Sequence, residues 1–231
     1  MTEFLSAATL WAVLLTLGAY ELGCLLKKKT GLAVCSPILV GAVLIIGFLL
    51  LTGIPNETYQ AGVRSISWLL TPCTVCLAIP LYTELEKLRG DLPAILAGVL
   101  GGVLVSLGMI GLFCILFRLP PQVTASLLPK SITTAMALPL SERMDALPAL
   151  TTAAVIVTGI LGSVLGPALC RIFRIRHPIA QGVAFGTASH VIGTTRATEL
   201  SALSGAVGSL SLVIAGIVTA VLYPLAIRLF G

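Results

Sequence analysis

The chain has 231 residues, of which 57% are hydrophobic and only 10% are charged, and its net charge is +5. Soluble domains carry about 25% charged residues, and the mean hydropathy of +1.08 points the same way. This composition excludes an ordinary soluble domain and predicts an integral membrane protein in the lipid bilayer. The apolar runs are continuous rather than alternating, so the predicted spans are helices. The basic residues lie in short loops, a pattern that does not favour nucleic-acid binding.

The first half of the chain predicts four hydrophobic segments. A first span over about residues 4–26 precedes Lys27-Lys28-Lys29, which predicts an outer N-terminus and a cytoplasmic end of this span. A second span covers about 36–53. The third stretch, about 57–85, contains Pro72 and Pro80, which predict a broken helix. Proline removes a backbone donor and clashes with the preceding turn. A fourth span covers about 92–117.

The stretch 123–142 is too polar for an ordinary span and contains Pro129 and Pro139. If it crossed the membrane, the basic loop RIFRIRH (171–177) would lie outside, against the positive-inside rule. We therefore expect a re-entrant segment, broken at Pro129, that enters and leaves from the outer face. The span over about 147–170 then runs inward.

The stretch 178–203 predicts a second broken helix, which runs outward. Its middle, ASHVIGTT, is small and polar, and Gly186 and Gly193 permit the break. The last span, about 206–229, is expected to end in the cytoplasm near Arg228.

These segments predict an all-α integral membrane protein with about seven transmembrane helices and one re-entrant segment. A broken helix followed by a full span occurs twice, in opposite directions, which is typical of inverted-repeat transporters. We expect one domain, 1–231, made of N-terminal spans (1–53), a first broken-helix unit (57–117), the re-entrant segment with its span (121–173) and a second broken-helix unit (178–231).

Lys130 and Arg196 are the strongest candidates for substrate binding. Lys130 lies in PKSITT, where a half-helix could begin, and charged residues at membrane depth are costly and usually functional. Its alternative is a side chain that reaches the outer headgroups. Arg196 matches a carboxylate, but Glu199, three residues later, could be a purely structural partner. His190 could carry a proton or simply pack. The candidate substrate-binding residues are Lys130, Ser131, Thr133, Thr134, Thr187, Ser189, His190, Gly193, Thr194 and Arg196.

No pattern in the chain favours an enzyme. Asp91 and Asp145 are the only aspartates and both fall in predicted loops. No nucleophile motif, phosphate-binding loop or metal-ligand set accompanies them. We therefore expect neither a catalytic site nor a metal or other cofactor.

Two motifs carry a family resemblance. PKSITTAMAL (129–138) and GTASHVIGTTRATEL (186–200) resemble the wording of the LrgB/CidB family, as do LTPCTVCLAIPLY (70–82) and VTGILGSVLGP (157–167). Ala135 and Thr195 depart from the residues that the family often has there, proline and alanine.

The resemblance implies two competing functions. One is transport of small monocarboxylates such as pyruvate, glycolate or glycerate, as in related plastid transporters. The other is a holin- or antiholin-like regulator of murein hydrolase activity and cell lysis. Either role implies the bacterial inner membrane and a small LrgA/CidA-type membrane partner, and analogy with similar folds adds a homodimer as an expectation. Because a pore-former needs no central anion site, Lys130 and Arg196 favour the transporter.

Overall fold

The computed structural model describes residues 7–30, 37–69 and 90–230, together with Pro72, Cys76 and Tyr82. Within these residues the protein is entirely helical, with nine helices and no strand. The helices are α1 (Ala7–Thr30), α2 (Pro37–Thr52), α3 (Asn56–Ser67), α4 (Leu92–Leu116), α5 (Pro121–Leu127), α6 (Thr134–Glu142), α7 (Pro148–Ile172), α8 (Pro178–Leu200) and α9 (Ala202–Phe230).

Four helices, α1, α4, α7 and α9, are long and apolar enough to cross a membrane, and α2 is a shorter apolar helix. They coincide with five of the predicted spans. Large apolar side chains on them are exposed, among them Leu51, Leu116 and Val221. A surface of this kind belongs in hydrocarbon rather than in water, so the chain is a multi-pass membrane protein.

The chain forms two compact units, Met1–Leu77 and Ala78–Gly231. In the first unit, Gly41 lets α2 approach the backbone of α1 at Ala19. The ring of Trp11 lies 6.2 Å from that of Tyr59, whose hydroxyl is 2.8 Å from Thr16 Oγ1. The predicted broken helix is only partly described. Helix α3 covers its start and Pro72 is helical, whereas Pro80 lies outside the described residues.

Prolines and left-handed residues set the helix boundaries in the second unit. Helices α4, α5, α7 and α8 each carry a proline in their first two positions, where a missing N–H costs nothing. Helices α4 and α7 end in Schellman motifs, with Arg118 (φ 51°) and Arg174 (φ 55°) in the left-handed position.

Three segments of the second unit run side by side in one direction: α4, the first half of α8, and α9. Glycines four residues apart on one helix approach residues four further along, in the same direction, on the neighbouring helix. The neighbouring segments are therefore parallel. The pairs are Gly98 with Val183 and Gly102 with Thr187 between α4 and α8, and Gly182 with Ser204 and Gly186 with Gly208 between α8 and α9. Helix α7 runs the opposite way, because Gly166, Gly162 and Gly159 approach Phe185, Ser189 and His190 in turn.

The segment predicted to be re-entrant, 121–142, consists of two short helices joined by residues 128–133, and we call it hairpin A. Helices of 7 and 9 residues extend about 10 and 14 Å, well short of a bilayer core of about 30 Å. After α6 the chain returns to α5, because the Leu147 amide donates to Ser126 Oγ in the last turn of α5 (2.8 Å). The tip of hairpin A reaches Ser106, near the middle of α4, through the Ser131 hydroxyl (2.9 Å).

Helix α8 also folds back on itself, and we call residues 178–200 hairpin B. The helix breaks at Ser189 and at His190, whose φ is 42°. Beyond the break, Gly193 approaches the Phe185 carbonyl oxygen, eight residues earlier. The second half then runs against α9, since Thr194 approaches Gly208 and Thr198 approaches Gly205.

Hairpin B corrects the predicted topology. The break was expected, but the prediction that 178–203 crosses outward is wrong, because its second half returns to the end where the first half began. The predicted shared cytoplasmic side of RIFRIRH and the C-terminus therefore fails as well. Helix α9 starts beside the beginning of α8 and ends beside Gly111, near the far end of α4.

Candidate functional site

The tip of hairpin A carries Lys130 and the hydroxyls that follow it. Pro129 and Ile132 are fully buried and anchor the tip, while Lys130 is half-buried. The Lys130 ammonium lies 3.5 Å from Ser131 Oγ, which in turn contacts Ser106. Thr133 is the N-cap residue of α6, yet its side chain makes no capping hydrogen bond. The backbone amides of the first turn of α6, which have no helical partner, therefore lie at this tip.

The tip of hairpin B carries Ser189 and His190, and both are buried. His190 Nε2 lies 3.0 Å from the Val155 carbonyl oxygen of α7. Because a carbonyl only accepts, Nε2 carries the proton, and Nδ1 remains for another partner. Thr194 Oγ1 donates to the His190 carbonyl oxygen four residues earlier (2.8 Å), a bond within the second half of the hairpin.

Three glycines of α7 leave the space into which hairpin B packs. An added Cβ at Gly159 would come within 2.6 Å of His190 Cε1, and one at Gly162 would overlap the Ser189 side chain. Gly166 gives the same room to Phe185. The sequence analysis noted the run 157–167 only as part of the resemblance. Its signal was the i, i+3, i+7 spacing of the glycines, which places all three on one helix face.

Gly186 and Gly193, predicted to permit the break, flank it at a distance of a few residues. Gly186 approaches the Gly208 carbonyl of α9, so its lack of a side chain serves packing. Gly193 lies against Ser189 and Phe185, where a side chain would block the reversal. The unusual backbone angle itself falls on His190.

The two tips meet. Ile132 of hairpin A packs with Val155 of α7, whose carbonyl oxygen is the partner of His190. Thr187, in the turn before the break, has a buried hydroxyl without a hydrogen-bond partner. The junction thus combines one ammonium, helix N-termini from α6 and from the second half of α8, and unused hydroxyls. No salt bridge to Lys130 exists among the described residues.

Arg196 lies elsewhere. It follows His190 by six residues, about 9 Å along the second half of hairpin B. It forms an ion pair with Glu199, as the structural alternative predicted, and its Nε is buried without a partner. Arg196 lines a cavity of about 400 Å³ with residues from the end of α7 and the loop that follows. The structure therefore separates Arg196 from the junction that holds the other candidate residues, including Thr134 at the start of α6.

Within the described residues, no group of three or more His, Cys, Asp or Glu side chains could hold a metal ion. The chemistry available at the junction is that of an ammonium, an imidazole, hydroxyls and backbone amides. Groups of these kinds are the ones that proteins use to bind oxyanions.

Comparison with known proteins places the chain in a family. No solved structure matches it significantly. Antiholin-like protein LrgB of Bacillus mycoides (strain KBAB4) is 35% identical over 222 residues, which cover 96% of each chain. The proteins of the same name from Bacillus cereus (strain B4264) and Bacillus anthracis (strain CDC 684 / NRRL 3495) show the same identity and coverage. The LrgB-like family matches residues 16–229, and the chain belongs to that family.

Proposed function

We propose that this protein transports small organic anions and binds them where the two hairpin tips meet. The observation that carries the proposal is the position of Lys130, a half-buried cation between two hairpins inserted from opposite ends of the unit. A cation at membrane depth without a carboxylate partner is costly. A substrate carboxylate would supply the missing countercharge.

The junction suits a small monocarboxylate with a second oxygen. The carboxylate would bind the Lys130 ammonium and the free amides at the start of α6, which carry the positive end of the helix dipole. The keto or hydroxyl oxygen would bind Ser131, Thr134 or the unpartnered Thr187 hydroxyl. His190 would offer Nδ1 as an acceptor for a substrate hydroxyl. Pyruvate, glycolate and glycerate all meet this description.

The arrangement of the second unit supports alternating access. Hairpin A followed by α7 and hairpin B followed by α9 each combine a re-entrant hairpin with a long helix, and they run in opposite directions. We infer that these two pieces, 121–172 and 178–230, are the inverted repeat, in place of the pairing 57–117 with 178–231 suggested by the sequence. Transporters with inverted repeats place their substrate near the midplane, between the repeats.

A second candidate function is the antiholin-like role. The names of the relatives favour it directly. In that role the protein would regulate murein hydrolase activity and cell lysis, together with a small LrgA/CidA-type membrane partner, and the tip junction would be a structural joint. Both functions are consistent with the inner membrane, and a homodimer is compatible with either.

Uptake into proteoliposomes tests the transport proposal. Labelled pyruvate, glycolate and glycerate are offered to vesicles that contain the protein alone or with its LrgA/CidA-type partner. We expect saturable uptake, and a loss of about 10- to 100-fold in kcat/KM for Lys130→Gln, since a charged hydrogen bond contributes about 1.5–3 kcal/mol.

Arg143→Gln is the matched control, because Arg143 lies at the opposite end of α6 and its removal changes the net charge equally. Arg196→Ala is compared in parallel and is expected to retain substrate affinity, since Arg196 lies away from the junction. Saturable uptake that Lys130→Gln and Arg143→Gln reduce equally would argue against the site. No uptake in either vesicle format, from folded protein, would favour the antiholin-like role.

A further inference from the structure

The base of hairpin B forms a basic cavity that the transport proposal does not use. Its volume is about 400 Å³, and its lining includes Arg171, Arg174, Arg176, Arg196 and Gln181. One carboxylate, that of Glu199, pairs with Arg196, so the cavity retains an excess of positive charge.

The arginines are held in place by the local fold. Arg174 occupies the left-handed position of the Schellman motif that ends α7, where the Ile175 amide donates to the Cys170 carbonyl oxygen (2.8 Å). Gln181 Nε2 donates to the Ile175 carbonyl oxygen (2.9 Å) and ties the loop to hairpin B. Four arginines, from the end of α7, the loop that follows and the second half of hairpin B, thus line one cavity, and their like charges repel one another without an anion.

Arg196 supplies an independent indication that the cavity binds an anion. Its Nε is buried and has no hydrogen-bond partner, although the same guanidinium bonds Glu199. A buried donor without an acceptor costs about 1–3 kcal/mol, whereas a phosphate oxygen in the cavity would accept from it. Arginine binds phosphate through two parallel hydrogen bonds.

The surface beside the cavity indicates what carries the phosphate. Leu161, Leu165, Leu169 and Ile172 are all exposed, by 51%, 48%, 47% and 71%, and their spacing places them on one face of α7. Ile172 of this face is the sequence neighbour of Arg171, which lines the cavity. A soluble phosphate ester would use the arginines alone, whereas a phospholipid would use both the arginines and the apolar face.

We propose that the arginine cavity binds the phosphate of an anionic phospholipid, whose acyl chains lie along the exposed face of α7. The bound headgroup joins the end of α7 to the second half of hairpin B. Lipid occupancy therefore stabilises the base of hairpin B, whichever of the two functions the junction serves.

Native mass spectrometry of the full chain in detergent tests the proposal. Phosphatidylglycerol, zwitterionic phosphatidylcholine, glycerol 3-phosphate and inorganic phosphate are titrated separately. We expect phosphatidylglycerol to bind and the other three to bind at least tenfold more weakly. The double variant Arg171→Gln/Arg174→Asn should weaken phosphatidylglycerol binding by about 25-fold, because each basic residue near anionic lipid contributes about fivefold. Asparagine is chosen at 174 because it tolerates the left-handed conformation.

The matched control is Arg118→Asn/Arg143→Gln. Arg118 occupies the equivalent Schellman position at the end of α4, so this variant loses the same charge and the same kind of cap outside the cavity. It should bind phosphatidylglycerol as the parent does. Arg176→Gln, on the loop, should cost about fivefold and serves if the double variant does not fold.

Three results would overturn the proposal. An equal loss of phosphatidylglycerol affinity in the cavity variant and the control would show that net charge alone causes the effect. Equal binding of phosphatidylcholine would show that the arginines do not select the lipid. Glycerol 3-phosphate or inorganic phosphate that binds as tightly as phosphatidylglycerol would identify a soluble phosphate as the occupant.

Discussion

At the scale of single residues, the tip of hairpin B depends on glycines of α7, which have no side chain to occupy its space. His190 holds a backbone angle that bulky residues avoid, and its imidazole is fixed by the Val155 carbonyl oxygen. The glycines of α7 leave the space that Ser189 and His190 fill. The polar residues of this tip were visible in the sequence. The role of the α7 glycines was not visible, because a glycine in an apolar helix does not indicate which partner it faces.

Gly162→Ala should destabilise the second unit. The added Cβ would overlap the Ser189 side chain, and overpacking of this kind costs about 1–3 kcal/mol. The melting temperature of purified protein in detergent is the measurement.

Gly101→Ala is the control for that change. No atom lies within 4 Å of a Cβ added at Gly101 in α4, so alanine should leave stability unchanged or raise it by up to about 1 kcal/mol. Equal melting temperatures for the two variants would contradict the packing of hairpin B on α7.

At the scale of elements, two hairpins replace what the sequence suggested as one re-entrant segment and one span. Hairpin A was predictable, because 123–142 is polar and the charge of RIFRIRH forbids a crossing there. Hairpin B was only half predictable. Small and polar residues indicate that a helix breaks, but the direction of the second half depends on tertiary contacts of Gly193, Gly205 and Gly208.

Cysteine labelling tests the reversal in hairpin B. Ala180→Cys and Thr198→Cys place single thiols at exposed positions near the start and the end of the hairpin, in a background without the native cysteines. A membrane-impermeant maleimide added to sealed vesicles of one orientation should reach both or neither. Labelling of only one of the two cysteines would contradict the reversal and support the outward crossing predicted from the sequence.

At the scale of the whole molecule, the composition settled the class of protein and two motifs settled the family. The helix boundaries in the described part were also close to prediction. The repeat pairing stays a prediction, since apolar segments match one another too easily for sequence comparison to select one pair. What decides it is the direction of each helix.

The side of the membrane that each end faces follows from charge. RIFRIRH and the start of α4, preceded in the sequence by Lys87 and Arg89, lie at one end of the second unit. Fewer basic residues, Arg118, Arg143 and Arg228, belong to the other end. The positive-inside rule therefore leads us to expect RIFRIRH in the cytoplasm and the C-terminus outside.

Leu229→Cys tests this orientation. Leu229 is exposed near the end of α9, and α9 begins at the end of the unit that holds Ala180. In vesicles where the impermeant maleimide labels Ala180→Cys from one side only, Leu229→Cys should be labelled from the opposite side. Labelling of both from the same side would return the C-terminus to the cytoplasm.

The depth of the hairpin tips has an electrical consequence. Hairpin A reaches Ser106, about halfway along α4, so an anion held by Lys130 would sit near the middle of the voltage drop across the membrane. Moving one charge through the full potential is worth about 2.3 kcal/mol per 100 mV, and half of that path separates the junction from either side. The membrane potential would then bias the occupancy of the junction, favouring anion entry from the negative side over entry from the positive one. An energised membrane would thereby give a direction to the movement of the bound anion.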